Sequence, residues 1–261
     1  MPELKALLLD VDGTLADTER NGHRVAFNAA FNDAGLDWEW SEALYGKLLT
    51  VTGGKERIRF YLDQFNPGFK RPLEFDAFIA NLHRAKTDHY IALTSSGAIP
   101  LRPGVRRLLE ESTADGLRLA IATTTTFDNV TALLESTLGE GAVSRFEVIA
   151  AGDVVDAKKP APDIYIWTMA RLGLDADSCL AIEDSKNGLH SAHAAGIRSV
   201  LVTVNGYTEH EDFSGAGLVV SHLGDTDDPS RIIQGSMPQA SWVNMEVLCA
   251  LHDRCTNLLA V

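Results

Sequence analysis

Residues 7–15, Leu-Leu-Leu-Asp-Val-Asp-Gly-Thr-Leu, constrain this chain more than any other stretch. A short apolar run closed by turn residues reads as a strand buried in a parallel sheet, and this one delivers two carboxylates to its carboxyl end before Gly13 turns the chain. Residues two apart in a strand share a face, so Asp10 and Asp12 begin on one side and diverge at the turn. Burying two carboxylates costs more than a fold gains from them unless a cation or strong donors compensate. The stretch therefore points to chemistry at a strand end; an Asp-rich turn with no further role is the plain alternative.

From Leu101 onward helix and strand alternate. Helical spacing covers 105–111, 129–138, 163–172 and 187–195, while 117–122, 146–150, 179–182, 199–204 and, as the last strand, 218–220 are apolar runs. Such alternation predicts an α/β fold with a Rossmann-like, doubly wound parallel sheet, whose ligands sit at the carboxyl ends of the strands. Before it, residues 21–35, 41–49, 55–65 and 75–93 carry helical patterns broken by Gly53-Gly54 and Asn66-Pro67-Gly68. An all-helical insert directly after a reactive strand end predicts a lid over the site.

The expected organisation is a catalytic core from 1–16 and 97–225, an α-helical cap from 17–96, and a linker with a C-terminal helix from 226–261. The helical pattern at 242–259 sets Val247, Leu248, Leu251, Cys255, Leu258 and Leu259 on one stripe. That stripe docks on its own domain, leaving a monomer, or serves as a self-association surface.

A net charge of -13 argues against a nucleic-acid or anionic-membrane partner. An anionic ligand would then need a metal and a local Lys/Arg cluster to reverse the field. Cys179, Cys249 and Cys255 lack C-x-x-C spacing, which speaks against a disulfide or zinc framework. No apolar stretch approaches 18 residues, and the first strand starts near Lys5, so a cytoplasmic protein without a leader is expected.

Four polar clusters stand at or just beyond strand ends: Asp10 with Asp12, the run Thr123 to Thr126, Lys158-Lys159-Pro160, and Glu183-Asp184-Ser185. Each has an ordinary structural reading as a turn, a solvated loop lysine or a helix cap. Together they fit one reaction. A carboxylate such as Asp10 can accept a phosphoryl group, and a neighbour such as Asp12 can protonate the leaving oxygen and then activate water. Mg²⁺ would sit on Asp10, a carbonyl oxygen and Asp184, with Thr123 and Lys159 on the equatorial oxygens.

Asp10-x-Asp12-Gly-Thr, Thr123, Lys159-Pro160-x-Pro162-Asp163 and Glu183-Asp184-Ser185-x-x-Gly188 resemble the four motifs of the haloacid dehalogenase-like superfamily, over about residues 5–205. The resemblance implies Asp10 as nucleophile, Asp12 as acid/base and, through its carbonyl, a metal ligand. Thr123 and Lys159 would hold phosphate, Asp184 would bind the metal, and Glu183 would be a further ligand or support one. Dehalogenating members lack an acid at the position of Asp12, so its presence favours phosphoryl transfer. Within the insert, Thr18-Glu19, His23-Arg24, Phe27-Asn28, Gly53-Gly54-Lys55-Glu56-Arg57 and His83-x-x-Lys86 resemble the CbbY-like branch, close to β-phosphoglucomutases.

That branch implies a phosphatase for xylulose 1,5-bisphosphate, with Lys55 and Lys86 binding the distal phosphate from the cap. A Gly-Gly turn opening a helix also offers free N–H groups beside cations. The implied substrate set is Asp17, His23, Arg24, Thr52, Gly53, Gly54, Lys55, Arg57, His83, Lys86, Thr124, Thr125 and Asn129. Two alternatives stay open: a phosphosugar mutase with the same motifs, and a phosphosugar-binding protein without turnover.

Overall fold

In the computed structural model, which describes residues 2–238 and 240–257, the first apolar run becomes a strand with no exposed side. β1 (Ala6–Leu9) has β2 (Arg118–Ala122) on one side and β4 (Cys179–Glu183) on the other. β3 (Val148–Ala150) lies beyond β2; β5 (Ser199–Thr203), β6 (Leu218–Val220) and β7 (Ile232–Gln234) follow β4, giving the order β3-β2-β1-β4-β5-β6-β7. All pairs are parallel except β6 with β7. The chain reverses direction across the sheet at β1, so a crevice opens at its carboxyl end.

Alternation in the strands divides the core. Leu7, Leu9, Leu119, Ile121, Leu180, Ile182 and Leu201 face α5 (Val105–Ala114), α6 (Phe127–Leu138) and α9 (Met245–Asn257). Ala6, Leu8, Ala120, Ala122, Ala181, Val200 and Val202 face α7 (Asp163–Leu172) and α8 (Lys186–Ala194). The alanine-rich face leaves room for Tyr165, fully buried on α7, to approach the sheet.

Between β1 and β2 come α1 (Arg24–Asp33), α2 (Glu42–Leu48), α3 (Gly54–Gln64) and α4 (Phe75–Ser95). These helices close over their own aromatic cluster, in which Phe27, Phe31, Trp38, Trp40, Tyr45 and Tyr61 are buried. Ala26 and Tyr90 instead join the core on the sheet. The chain enters the insert through a π-helical turn, Glu19–His23, which delays α1 by a few residues against the expected start at 21.

Both connections between insert and core meet at Arg102. This buried guanidinium donates to the carbonyls of Gly13, Thr203, Val204 and Ser221 and lies 3.4 Å from Asp17. It ties the turn after β1 to the ends of β5 and β6. No helix among the described residues is long and apolar enough to cross a membrane.

The C-terminal expectation needs one correction. Residues 226–261 are not linker and helix alone, because β7 extends the sheet there through backbone bonds such as Ser221 N–H to Arg231 O at 2.9 Å. Its three residues are exposed and lack alternation, so side-chain patterning carries no trace of it. The stripe of α9 docks on its own domain, as the first of its two readings expects: Val247, Leu248 and Leu251 are buried on the sheet. Gln239, Leu258 and Leu259 lie outside the described residues. Leu251→Ala is therefore expected to lower unfolding free energy by roughly 2–5 kcal/mol in urea titrations, with activity at low temperature retained.

Candidate active site

The parallel register of β1 with β4 sets Leu9 beside Ile182, and the next residues, Asp10 and Glu183, emerge together; Asp10 N–H donates to Ile182 O at 3.0 Å. Lys159 reaches between them from the loop before α7, its Nζ 2.8 Å from Asp10 Oδ1 and 2.6 Å from Glu183 Oε1. The Tyr165 hydroxyl donates to the same Glu183 oxygen, and Thr14 Oγ1 donates to Asp10 Oδ2 at 3.2 Å. Asp184 follows Glu183 and accepts from Asn205 Nδ2 at 2.6 Å.

Close packing makes two glycines obligatory. A Cβ on Gly13, whose φ is 86°, would collide with Asp184 and Asn205, and one on Gly188 would run into the Glu183 carboxylate. The helix-cap reading of these clusters is also realised. Ser185 caps α8 by accepting from Gly188 N–H at 3.2 Å, and Thr126 caps α6 by accepting from Asn129 N–H at 3.4 Å. Both helices thereby start at the site, where their free N–H groups favour an anion.

Three buried carboxylates face one ammonium here. Burial pushes Asp10 up to about 7 against the pull of Lys159, with Glu183 and Asp12 adding to the rise. Asp184 is pushed well up by burial and by the charges of Asp10 and Glu183. Burial works against the Lys159 cation, but Asp10 and Glu183 outweigh it and raise its pKa.

The shortage of positive charge matches a cation site. Asp10, Glu183 and Asp184 offer oxygens that all lie within 4.8 Å of one another, and Glu183 Oε2 is buried with no partner. An all-oxygen donor set suits a hard divalent ion. Glu183 Oε1 is taken by Lys159 and Tyr165, so Oε2 is what that residue has left to offer.

Asp12 faces the insert. Its Oδ1 accepts from Thr18 Oγ1 at 2.6 Å and lies 2.8 Å from His23 Nε2, while Lys86 Nζ lies 2.7 Å from His23 Nδ1. Burial works to raise Asp12, but His23, Thr18 and Lys86 outweigh it and hold the carboxyl at about 2. Burial in turn lowers Lys86 to about 8, although Asp12 and Glu19 pull it upward. His83 is held at about 4 by burial and by Lys86 and Lys55.

Two adjoining depressions share Asp12, Glu19, Arg57 and Thr124 as walls. One holds Asp10, Thr123, Lys159, Asp184 and Thr52; the other holds His23, Gly53, Gly54, Lys55, His83, Lys86, Thr125 and Asn129. The arrangement can hold an anion with a second negative group, one group at the carboxylate end and one among Lys55, Arg57 and Lys86.

Asp17 and Arg24 are not brought in. Asp17 is mostly exposed and lines a separate depression beside Arg102 and Arg20, and Arg24 turns away to the Trp40 carbonyl and Glu42. Glu19, the first residue of the π-helical turn, faces both depressions, and Asp17, two residues before it, faces neither.

Glu19 joins the Tyr45 hydroxyl, which also accepts from Arg57 at 2.9 Å. Asn205 and Asn187 are further residues that sequence reasoning passed over; Asn187 Nδ2 donates to Thr52 Oγ1 across the gap between α8 and the insert at 3.2 Å. Asn205 follows a strand end, a position that could have flagged it.

A family model described as haloacid dehalogenase-like hydrolase matches residues 4–196. The plasmid protein CbbY of Cupriavidus necator is 47% identical over 251 residues, 95% of this chain and 97% of that protein. CbbY of Rhodobacter capsulatus is 53% identical over 221 residues, 85% of this chain and 94% of that protein. The crystal structure of a mutant CbbY from Rhodobacter sphaeroides in complex with xylulose-(1,5)bisphosphate aligns with TM-score 0.78 at 45% identity, covering 86% of this chain and 98% of that one.

Because Lys86 is charged below about 8 and neutral above it, kcat/KM for an anionic ligand bound there is expected to fall as pH rises through that value. Lys86→Arg, which keeps its charge, should move that basic limb upward in a pH–rate profile.

Proposed function

This chain belongs to the haloacid dehalogenase-like hydrolases and hydrolyses phosphate esters, and from that premise we propose that it removes one phosphate from a sugar bisphosphate, xylulose 1,5-bisphosphate, with Mg²⁺. The observation that carries this reading is the cavity with two poles. Reactive carboxylates and Lys159 form one, Lys55, Arg57 and Lys86 form the other, and shared walls join them. A ligand with a single phosphate would leave one pole unmatched. The bisphosphate complex of the CbbY from Rhodobacter sphaeroides supports the same substrate.

In this reading an Asp10 oxygen attacks phosphorus as the ester P–O bond breaks, and the departing oxygen takes its proton from Asp12. Asp12 is ionised at rest, and the negative charge of the arriving phosphate opposes the cations that hold it low, which favours its protonated form. Water then attacks the phosphorus of the aspartyl phosphate, gives its proton to Asp12, and releases phosphate and a free Asp10. Lys159 and Thr123 hold the equatorial oxygens throughout. A divalent ion held by Asp10, Asp184, the Asp12 carbonyl and Glu183 Oε2 would neutralise the repulsion between carboxylate and phosphate. His23, drawn toward Asp12 by its 2.8 Å contact, lets the insert set the orientation of the acid/base.

The test is phosphate release across pentulose and hexose mono- and bisphosphates. Fastest release from xylulose 1,5-bisphosphate, loss of all release in Asp10→Asn, and a fall of about 10²–10⁴-fold in Asp12→Asn are expected. Chelation should stop release and Mg²⁺ restore it. Conversion of β-glucose 1-phosphate to glucose 6-phosphate with little free phosphate would overturn the reading in favour of a mutase.

A further inference from the structure

Asp153, in the loop after β3, carries a carboxylate shared between the two sides of the cavity. Lys55 Nζ, at the start of α3 in the insert, donates to Asp153 Oδ2 at 2.8 Å; Lys158 Nζ, on the core, donates to Oδ1 at 2.9 Å. The two ammonium groups differ in how firmly they are held. Lys158 also donates to Gly152 O at 2.7 Å and Val155 O at 3.2 Å, so it fixes the carboxylate from the core side. Lys55 has a side chain 40% exposed on a flexible stem, and an ion pair so open to water is weak. Lys55, Asp153 and Lys158 line the same depression as Lys86 and Arg57. Hydrogen bonds from Lys55 and Lys158 hold Asp153 at about 2, so it competes for ammonium groups across the whole working range of pH.

A bisphosphate phosphatase has a release problem that follows from its own geometry. When one phosphate is removed at Asp10, the product keeps the other on the cations that helped to bind the substrate. We propose that Asp153 is a positioning residue for product release: it draws Lys55 back from the phosphate that the product retains, and so shortens the product's residence. The inference rests on the two-pole reading of the substrate. Substrate and product pay the same cost, because each must displace Asp153 from Lys55. Turnover gains nonetheless, since release of a product still anchored by its remaining phosphate is the step that tight binding slows.

Calorimetric titration of xylulose 5-phosphate, the product that remains when the 1-phosphate is the one transferred, into Asp10→Asn and into Asp10→Asn with Asp153→Asn tests this without turnover. Removing the carboxylate charge is expected to tighten binding about two- to fivefold, the range of an exposed ion pair. In proteins with Asp10 intact, KM for the bisphosphate and the inhibition constant of xylulose 5-phosphate should fall together by that factor while kcat does not rise. With Lys55→Gln in place, Asp153→Asn should change neither constant. A loop-stabilising role for Asp153 would instead weaken binding in both backgrounds. Equal or weaker product binding in Asp153→Asn, or the same gain with Lys55 removed, overturns the inference and leaves the substrate reading standing. Failure of Asp10→Asn to bind both xylulose 1,5-bisphosphate and xylulose 5-phosphate overturns the substrate reading and this inference with it.

Discussion

The Lys159 ammonium, wedged between the carboxylates of Asp10 and Glu183, is the contact on which the rest of this site depends. Parallel pairing of β1 with β4 forces two acids to emerge side by side at the sheet's carboxyl edge. Water cannot offset their repulsion there, since Asp10, Glu183 and Asp184 are all buried. Lys159 compensates part of that charge, and the buried Tyr165 adds a donor from α7. Glycine at positions 13 and 188 follows from the same crowding, because the space a side chain would need is occupied by carboxylate oxygens. What remains uncompensated is a deficit of positive charge, the physical condition for a divalent cation and then for an anionic ester.

The insert answers the core with charge of the opposite sign. Lys86 touches His23, His23 touches Asp12, and Arg57 is tied to Glu19 through Tyr45, so the insert reaches the reactive strand end through buried side chains. Asp10 and Asp12 consequently sit in different fields although they are two residues apart: Asp10 is pushed up to about 7 by burial, and Asp12 is held at about 2 against it. Such a division suits two carboxylates to different tasks. Arg102 gives the division a fixed frame by pinning the turn after β1 to the ends of β5 and β6, at the point where the insert joins.

Side-chain order along the chain accounts for much of the architecture. Apolar strands, helical periodicity and the punctuation at Gly13 and at Gly53-Gly54 are local signals, and they predicted the doubly wound sheet, the helical insert and the strand-end clusters around Asp10, Thr123, Lys159 and Glu183. These are determined by sequence alone because burial period and turn chemistry act between near neighbours. Tertiary structure decided the remainder. β7 exists only because β6 offers it backbone partners, and the stripe of α9 is covered because the sheet lies beneath it. Glu19, where the chain enters the insert, stands at the cavity in place of Asp17, a choice made by how that entry packs against the core. The links from Lys55 to Asp153, Lys86 to His23 and Asn187 to Thr52 join residues far apart in the chain. No local pattern encodes such pairings, since a side chain's neighbours across a fold are set by how whole elements pack.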